Sequence, residues 1–271
     1  MEEKNGCEFC LPAFFHSSSM HEGRHEETDN ATVTFVKYQQ RIYAVTCHHV
    51  VKQLDKKRKE LNDGWQTLTL HLERVILQLS AIDPKNPKKR QDIFRTLRTD
   101  FSGEQVDIVI GPITDFHWEL IESKKHKSPV DLDNWIEPRW DEYKYGSAFG
   151  YPTDHKEHQG KYVSAPCLHV TAEVVSRLGA RETKITLFSE LDEPHGFFFS
   201  GMSGGIIILQ HEEFYDVAGI VYEGQPGGKN QENMQNDGEQ VFSEKSILIK
   251  GFIITPEIFS SWLVESGLKN A

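Results

Sequence analysis

The chain is a succession of short segments in which apolar and polar side chains alternate, and this alternation constrains its fold more than any other feature. Residues 32–38 and 41–46 form the clearest pair, because both are rich in β-branched and aromatic residues and two glutamines separate them. Alternation with a period of two puts every second side chain on the same face of a strand, so this pair predicts a β-hairpin. Similar segments recur up to residue 254, which is typical of antiparallel barrels and sandwiches.

Helical spacing replaces alternation at the end of the chain. Pro256 suits the first turn of a helix, and Thr255 can cap it. The apolar residues at helical spacing are Ile258, Phe259, Trp262 and Leu263. We therefore predict an all-β fold of two antiparallel barrels with a C-terminal helix. The predicted units are a tail or small segment at 1–30, the first barrel at 31–125, a connector at 126–142, the second barrel at 143–255 and the helix at 256–271.

Composition limits the partners of such a fold. The 271 residues carry a formal net charge of −11. An acidic chain repels phosphate backbones, so we expect no nucleic-acid partner. No run approaches the roughly 18 apolar residues that span a bilayer, and no apolar run follows the polar start, so neither a membrane partner nor a signal peptide is predicted. We expect a cytoplasmic protein, either in the cell that makes it or in a host cell that receives it.

The four cysteines lie at positions 7, 10, 47 and 167. In a reducing compartment such residues are more often free thiols or metal ligands than disulfides. Cys7 and Cys10 have the first spacing of a zinc site and histidines follow, but the later spacing fits no standard zinc motif. We therefore predict a tail without metal, keep Cys7 and Cys10 as the alternative metal ligands, and expect a chain without residues 1–28 to fold. Cys167 lies among apolar residues and is predicted to be packed there.

The segment GMSGG at residues 201–205 is the strongest chemical signal in the sequence. A nucleophilic hydroxyl has to stand on a tight turn whose backbone N–H groups point into one hollow, the oxyanion hole. Gly201 permits the backbone that turns its N–H inward, and the glycines after Ser203 let another chain approach closely. The alternative is an ordinary Gly-Ser turn that leads into an apolar strand.

Two further residues could serve such a nucleophile. His49 follows a strand and opens a predicted helix, where a general base would be held rigidly, although a core or surface histidine is the alternative. Asp107 lies in the apolar segment 106–110. A carboxylate is costly to bury alone, so it should have a donor such as a histidine N–H, unless it is an exposed residue at the start of a strand.

Together the three motifs occur in the order His, Asp, Ser, and here a resemblance to a known family becomes visible. The segment TCHHVV at 46–51 resembles the Thr-x-x-His-Val-Val segment of the chymotrypsin-fold, trypsin-like serine peptidases, and this match makes His49 rather than His48 the base. The segment DIV at 107–109 is similar to their Asp-Ile-Ala, and GMSGG to their Gly-Asn/Asp-Ser-Gly-Gly. The chain most resembles the HtrA-like and bacterial protease domain without a PDZ domain, over residues 31–265.

This resemblance implies two six-stranded antiparallel β-barrels and a serine endopeptidase that needs no cofactor. The residues that it implies as a catalytic triad are His49, Asp107 and Ser203, with Gly201 and Ser203 supplying the oxyanion hole. Two alternatives are a protease-like scaffold that acts only by binding proteins and an α/β-hydrolase esterase. The esterase would need the order Ser, acid, His, which this chain does not have.

The same resemblance implies where a protein substrate binds. An extended substrate would pair by β-augmentation with Ile220, Val221 and Tyr222. Phe197, six positions before the serine, would form the base of an apolar and shallow primary pocket, which favours small or medium apolar side chains. The aromatic run around Phe197 and the long segment 223–244 would act as a switch that a protein activator completes.

Overall fold

The fold of the chain is mainly β structure. A computed structural model describes residues 6–16, 29–60, 67–73, 75–83, 86–97, 106–159, 162–176, 178–179, 182–211, 215–226 and 245–269. The strands are β1 (Cys10–His16), β2 (Asn30–Tyr38), β3 (Arg41–Thr46), β4 (Thr67–Leu72), β5 (Val75–Gln78), β6 (Ser80–Asp83), β7 (Asn86–Asp92), β8 (Arg95–Thr96), β9 (Val109–Ile113), β10 (Val130–Asp131), β11 (Tyr145–Gly150), β12 (Glu157–Gln159), β13 (Tyr162–Ser164), β14 (Leu168–Val174), β15 (Lys184–Glu190), β16 (Ile206–Gln210), β17 (Tyr215–Gln225) and β18 (Ser246–Ile253). The α-helices of these ranges are α1 (His48–Glu60), α2 (Asp115–Lys125) and α3 (Pro256–Glu265). None of them is long and apolar enough to cross a membrane.

The first unit is an open sheet of eight strands in the order β5-β4-β1-β2-β3-β9-β8, with β10 paired to β2. The hairpin predicted from alternation is confirmed as β2 and β3, with Gln39 and Gln40 at its turn. Both turn residues have positive φ, and the Asp133 carboxylate accepts both of their N–H groups. A closed six-stranded barrel was predicted here, and this is wrong for the described residues, because no described strand joins β5 to β8.

The strand β1 lies within residues 1–30, for which a tail or small segment was predicted, and it belongs to the first sheet rather than to a free tail. It lies between β2 and β4, with Cys10 opposite Thr34 and Ala13 opposite Leu70. Its Phe14 is completely buried. The sequence did not indicate this strand because its pairing with β4 joins segments more than fifty residues apart, and nothing local specifies that contact.

The second unit confirms the predicted six-stranded barrel. Its strands close in the order β11-β14-β15-β18-β17-β16. Buried aliphatic residues such as Ile185, Leu187 and Ile207 fill its interior. Each strand of the barrel pairs with two neighbours, although β14 meets β15 only through Glu173 and Val174.

The predicted C-terminal helix is confirmed as α3. The Thr255 hydroxyl caps it by accepting the Ile258 N–H at 3.2 Å, and Pro256 occupies its first turn. Phe259 on its buried face lies 5.6 Å from the ring of Tyr43 in β3. The helix that follows the second barrel therefore packs back onto the first sheet and joins the two units.

A disulfide between Cys7 and Cys167, whose Cα atoms are 6.1 Å apart, corrects the prediction of unbonded thiols. It also overturns Cys7 and Cys10 as a metal pair, because the Cys7 sulfur is already bonded. Cys10 is a free and fully buried thiol, and burial raises its pKa to about 12. The disulfide joins the segment before β1 to the segment before β14, and so crosses from the first unit to the second.

Candidate active site

A cleft of about 590 Å³ lies where the first sheet meets the second barrel, and both units line it. The first sheet contributes His49 and Asp107, and the second barrel contributes Ser203. The three residues come from the start of α1, the segment before β9 and the turn before β16. The structure thus brings together the three side chains that the sequence motifs singled out.

Asp107 holds the histidine segment through its side chain and its backbone. Its Oδ1 accepts the His49 backbone N–H at 2.9 Å, its Oδ2 lies 2.5 Å from His49 Nδ1, and its carbonyl accepts the His48 N–H at 3.3 Å. A carboxylate can only accept, so Nδ1 carries the proton and Nε2 is left as an acceptor. Asp107 therefore fixes both the orientation and the tautomer of the His49 ring.

The acceptor nitrogen of His49 faces the serine. Its Nε2 lies 3.0 Å from Ser203 Oγ, which is hydrogen-bonding distance. The side chains of His49 and Asp107 are 47% and 32% exposed, so substrate can reach them from the cleft. The arrangement is that of a general base held by a carboxylate beside a hydroxyl nucleophile.

Two glycines with positive φ shape the turn that carries Ser203. Gly201 has φ +96° and Gly204 has φ +91°, a region that side chains disfavour. Space is also absent: a Cβ on Gly201 would lie 2.7 Å from the Tyr151 carbonyl oxygen, and one on Gly204 would lie 2.1 Å from the Thr32 carbonyl oxygen. The glycines of the GMSGG motif are therefore required by both conformation and close packing.

The backbone of this turn contains two N–H groups that have no acceptor in the described part of the chain. The Ser200 carbonyl accepts from Thr153 N at 2.7 Å, and the Met202 carbonyl accepts from Gly205 N at 2.8 Å. In a trans peptide the next N–H points the opposite way, so the N–H groups of Gly201 and Ser203 point away from these partners. Neither donates to an acceptor in the described part of the chain. Two such donors beside a nucleophile are what an oxyanion hole requires.

The predicted substrate-pairing residues, Ile220, Val221 and Tyr222, are only partly at the cleft, and the residues that line it begin at Tyr222. Ile220 and Val221 have no exposed surface, and Ile220 is paired with Ile206 on one side and Phe252 on the other. Of the three predicted residues, Tyr222 alone lines the cleft, together with Glu223, Gly224 and Gln225. A register shift between Val221 and Glu223 separates the barrel part of β17 from the cleft part, and this irregularity has no signal in the sequence.

Phe197 does not form the base of the pocket, so this prediction is also corrected. It is 40% exposed and lies between the rings of His155 and His195, at 5.5 and 6.1 Å. The residue from this run that lines the cleft is Phe199, which is 2% exposed. A turn at Gly196, with φ +69°, and the Phe197 N–H bond to His195 Nδ1 hold this arrangement. Counting back from the serine could not reveal it.

Cys47 is a buried neighbour that the sequence did not single out. Its thiol donates to the Val221 carbonyl at 3.3 Å. The donor atoms of Cys47, His49 and Asp107 lie within 4.8 Å of one another, which is close enough for a metal ion. Burial, and then the charge of Asp107, raise the pKa of this thiol well above its usual value, so it stays protonated. The Cys47 thiol already donates to the Val221 carbonyl, and His49 Nδ1 already contacts Asp107 Oδ2, so these donor atoms are engaged with protein partners rather than arranged around a metal ion.

No protein-family model matches this chain, and no curated protein sequence does. Among solved structures it is similar to a thermostable serine protease, AL20, from an extremophilic microorganism, with 10% identity over 98% of this chain and 100% of that chain and a TM-score of 0.47. It is also similar to the protease Anisep from Arthrobacter nicotinovorans, with 9% identity over 96% of each chain and a TM-score of 0.45. Similarity of this size does not identify the activity, which has to be inferred from the residues of this chain.

Proposed function

We propose that the chain is a serine endopeptidase with His49, Asp107 and Ser203 as its catalytic triad. The observation that supports this most directly is the continuous set of contacts from Asp107 through His49 to Ser203 Oγ, at 2.5 and 3.0 Å. It lies beside two backbone N–H groups, on Gly201 and Ser203, that have no described acceptor. These are the parts that acyl transfer needs.

Each group has one task in the reaction. Ser203 Oγ forms a bond to the scissile carbonyl carbon while its proton passes to His49 Nε2. The carbonyl oxygen becomes an oxyanion and accepts from the Gly201 and Ser203 N–H groups. His49 then gives its proton to the departing amine as the C–N bond breaks. Water repeats the sequence on the acyl-enzyme, and Asp107 stabilises the imidazolium each time.

The substrate in this proposal is a protein bound in extended form. Ladder pairing between β17 and β16 ends at Ile220, whereas Glu223 to Gln225 continue to pair with β18. A substrate strand that lies along Glu223 to Gln225 would extend this part of the barrel by β-augmentation. We also propose that the chain acts like the HtrA-like serine peptidases and that a protein activator binds it. The isolated chain would then cleave unfolded casein at a basal rate, and the activator would raise kcat; a kcat that no added protein increases would contradict the activator.

The cytoplasmic location is a prediction that the disulfide opposes. Disulfides such as Cys7–Cys167 persist mainly in oxidising compartments. The location can be tested by fractionating cells that make the protein and quenching their thiols at lysis. A cytosolic fraction with Cys7 and Cys167 alkylated would support the prediction, and an oxidised protein in a secretory or periplasmic fraction would overturn it.

The experiment that tests the activity is labelling with a fluorophosphonate, together with cleavage of unfolded casein. Ser203→Ala and His49→Ala should each lower kcat by roughly a thousandfold or more. His48→Ala is the matched control and should have a much smaller effect, because His48 contacts Asp107 through its backbone N–H. A folded protein that neither labels nor cleaves would leave the alternative, a scaffold that acts by binding proteins.

The dependence of labelling on pH tests the role of His49. A protonated Nε2 cannot accept the serine proton, so the labelling rate should fall as the solution is made acidic. The second-order labelling rate constant should be measured from pH 5 to 8. A rate constant that is flat over this range would contradict a histidine base.

A further inference from the structure

Thr32 in β2 makes a set of contacts with the nucleophile turn that the triad does not explain. Its backbone N–H donates to the Ser203 carbonyl at 3.1 Å. Its hydroxyl donates to the Gly201 carbonyl at 2.8 Å and accepts the Tyr151 N–H at 2.9 Å. The residue has no exposed surface. One buried residue of the first sheet therefore holds two carbonyls of the turn on the second barrel.

The carbonyl that the hydroxyl holds belongs to the residue that supplies one N–H of the oxyanion hole. Gly201 has no side chain to restrict its φ and ψ, so its peptide units turn more easily than those of other residues. Its preceding carbonyl, on Ser200, is held by Thr153 N. Its own carbonyl is held by Thr32 Oγ1. The peptide unit before Gly201 is thus held by Thr153, and the peptide unit after it is held by Thr32.

The restraint continues to the strand that leads to the general base. The Thr46 hydroxyl donates to the Thr32 carbonyl at 2.8 Å, and Thr46 lies three residues before His49. Thr34 makes a parallel contact, since its hydroxyl donates to the Gly204 carbonyl at 2.7 Å. Of these hydroxyls, the one that reaches the Gly201 carbonyl is on Thr32.

We propose that Thr32 is a positioning residue that keeps the Gly201 N–H aimed at the oxyanion. The proposal rests on the serine endopeptidase function. Its physical basis is that a donor must lie about 2.7–3.1 Å from the oxygen of the tetrahedral species, and that a displacement of about 1 Å can lower a rate by roughly a hundredfold. The Thr32 hydroxyl touches neither substrate nor nucleophile. It holds the Gly201–Met202 peptide unit, and so limits rotation about the Gly201 backbone, which joins that unit to the Ser200–Gly201 unit that carries the Gly201 N–H.

The test compares Thr32→Val, which keeps the shape and removes the hydroxyl, with Thr32→Ser, which keeps the hydroxyl. The probe is a fluorophosphonate: Ser203 Oγ bonds to phosphorus, the P–F bond breaks, fluoride leaves and the serine proton goes to His49. The phosphoryl oxygen then lies in the oxyanion hole. Thr32→Val should lower the second-order labelling rate constant roughly 10- to 100-fold, and Thr32→Ser should restore most of it.

A matched control separates positioning from a general loss of stability. Thr69 in β4 is equally buried, and its hydroxyl donates to the Phe14 carbonyl at 3.2 Å, away from the turn. Loss of folded protein in Thr69→Val or Thr32→Val lowers the final extent of labelling, but it does not change the rate constant of the folded fraction. The pH at which labelling reaches half its maximum should be the same in all variants, because none of them changes the contact between His49 and Asp107.

The outcomes distinguish this proposal from the function on which it rests. A wild-type chain that does not label overturns the endopeptidase and this role with it. A wild-type chain that labels, with an unchanged rate constant in Thr32→Val, overturns the role of Thr32 alone. A rate constant lowered equally in Thr32→Ser and Thr32→Val would also overturn it, because the effect would then not come from the hydroxyl.

Discussion

The two units of the molecule differ in whether their sheets close: the first is an open sheet, and the second is a closed barrel. All six strands of the second barrel come from residues 145–253, and they close on one another. The first sheet is open, and β1, the first strand of the chain, lies inside it between β4 and β2. The barrel is therefore built from one continuous part of the chain. The open sheet instead needs β1 to pair with β4, which lies more than fifty residues later in the sequence.

The candidate site is formed by residues of both units, so its geometry depends on how the open sheet is held against the closed barrel. His49 at the start of α1 and Asp107 just before β9 belong to the first unit, and Ser203 in the turn before β16 belongs to the second. The helix α3, the Cys7–Cys167 disulfide and the hydroxyls of Thr32 and Thr34 join the units. The distance of 3.0 Å between His49 Nε2 and Ser203 Oγ therefore depends on how well these contacts hold the units together.

The largest effect should come from removing β1. Deletion of residues 1–28 takes away the strand between β2 and β4, which leaves their backbone N–H and C=O groups unpaired along that edge and removes the buried Phe14 ring. We therefore expect the first sheet to unfold and fluorophosphonate labelling to be lost. Hydrogen exchange can follow the two units separately. Amides of β2 and β4 should lose protection, while those of β15 and β18 keep much of theirs.

Point variants on β1 make this test quantitative. Phe14→Ala removes a completely buried ring and should lower the free energy of unfolding by about 3–5 kcal/mol. Pro12→Ala, at a partly exposed position of the same strand, should change it far less. Cooperative unfolding and normal labelling of the deleted chain would show that β1 does not support the sheet.

The contrast between the units also explains which features the sequence could predict. The β2–β3 hairpin, the cap at Thr255 and the GMSGG turn are specified by residues within a few positions of one another, so their patterns were sufficient. The His, Asp and Ser motifs are local as well, and the expectation that they meet comes from the family resemblance that their sequences and order carry. The place of β1, the Cys7–Cys167 bond and the exposure of Phe197 depend on distant contacts, which local patterns do not encode.

A smaller effect is expected where the two units touch through Gly204. A Cβ there would lie 2.1 Å from the Thr32 carbonyl oxygen, and φ is +91°. Gly204→Ala should push the turn away from the first sheet, lower the free energy of unfolding by about 3–4 kcal/mol and strongly reduce labelling. Gly196→Ala is the matched control: its φ is +69°, but nothing lies within 4 Å, so strain of about 1–2 kcal/mol is the expected loss. Equal losses in the two variants would mean that contact between the units is not what Gly204 provides.

The smallest effect on the site should come from the disulfide. Replacing Cys7 and Cys167 by serine removes a cross-link that restricts the unfolded chain, so the free energy of unfolding should fall by about 2–4 kcal/mol. Labelling of the folded protein should change little, because the Thr32 and Thr34 hydroxyls still hold the turn. A large loss of the labelling rate constant would mean that the disulfide, rather than these hydrogen bonds, aligns the two units.

Thiol titration checks the pairing on which that expectation depends. Cys10 and Cys47 are fully buried, and burial raises the pKa of both thiols, so neither should react with a thiol reagent in the native protein at pH 8. With four cysteines and one disulfide, 4 − 2 = 2 thiols should react after denaturation without reductant, and all four after reduction. Four reactive thiols without reductant would show that the bond between Cys7 and Cys167 is absent from the isolated protein. The two units would then be held together by α3 and the threonine hydroxyls, and Cys7→Ser with Cys167→Ser should leave the stability unchanged.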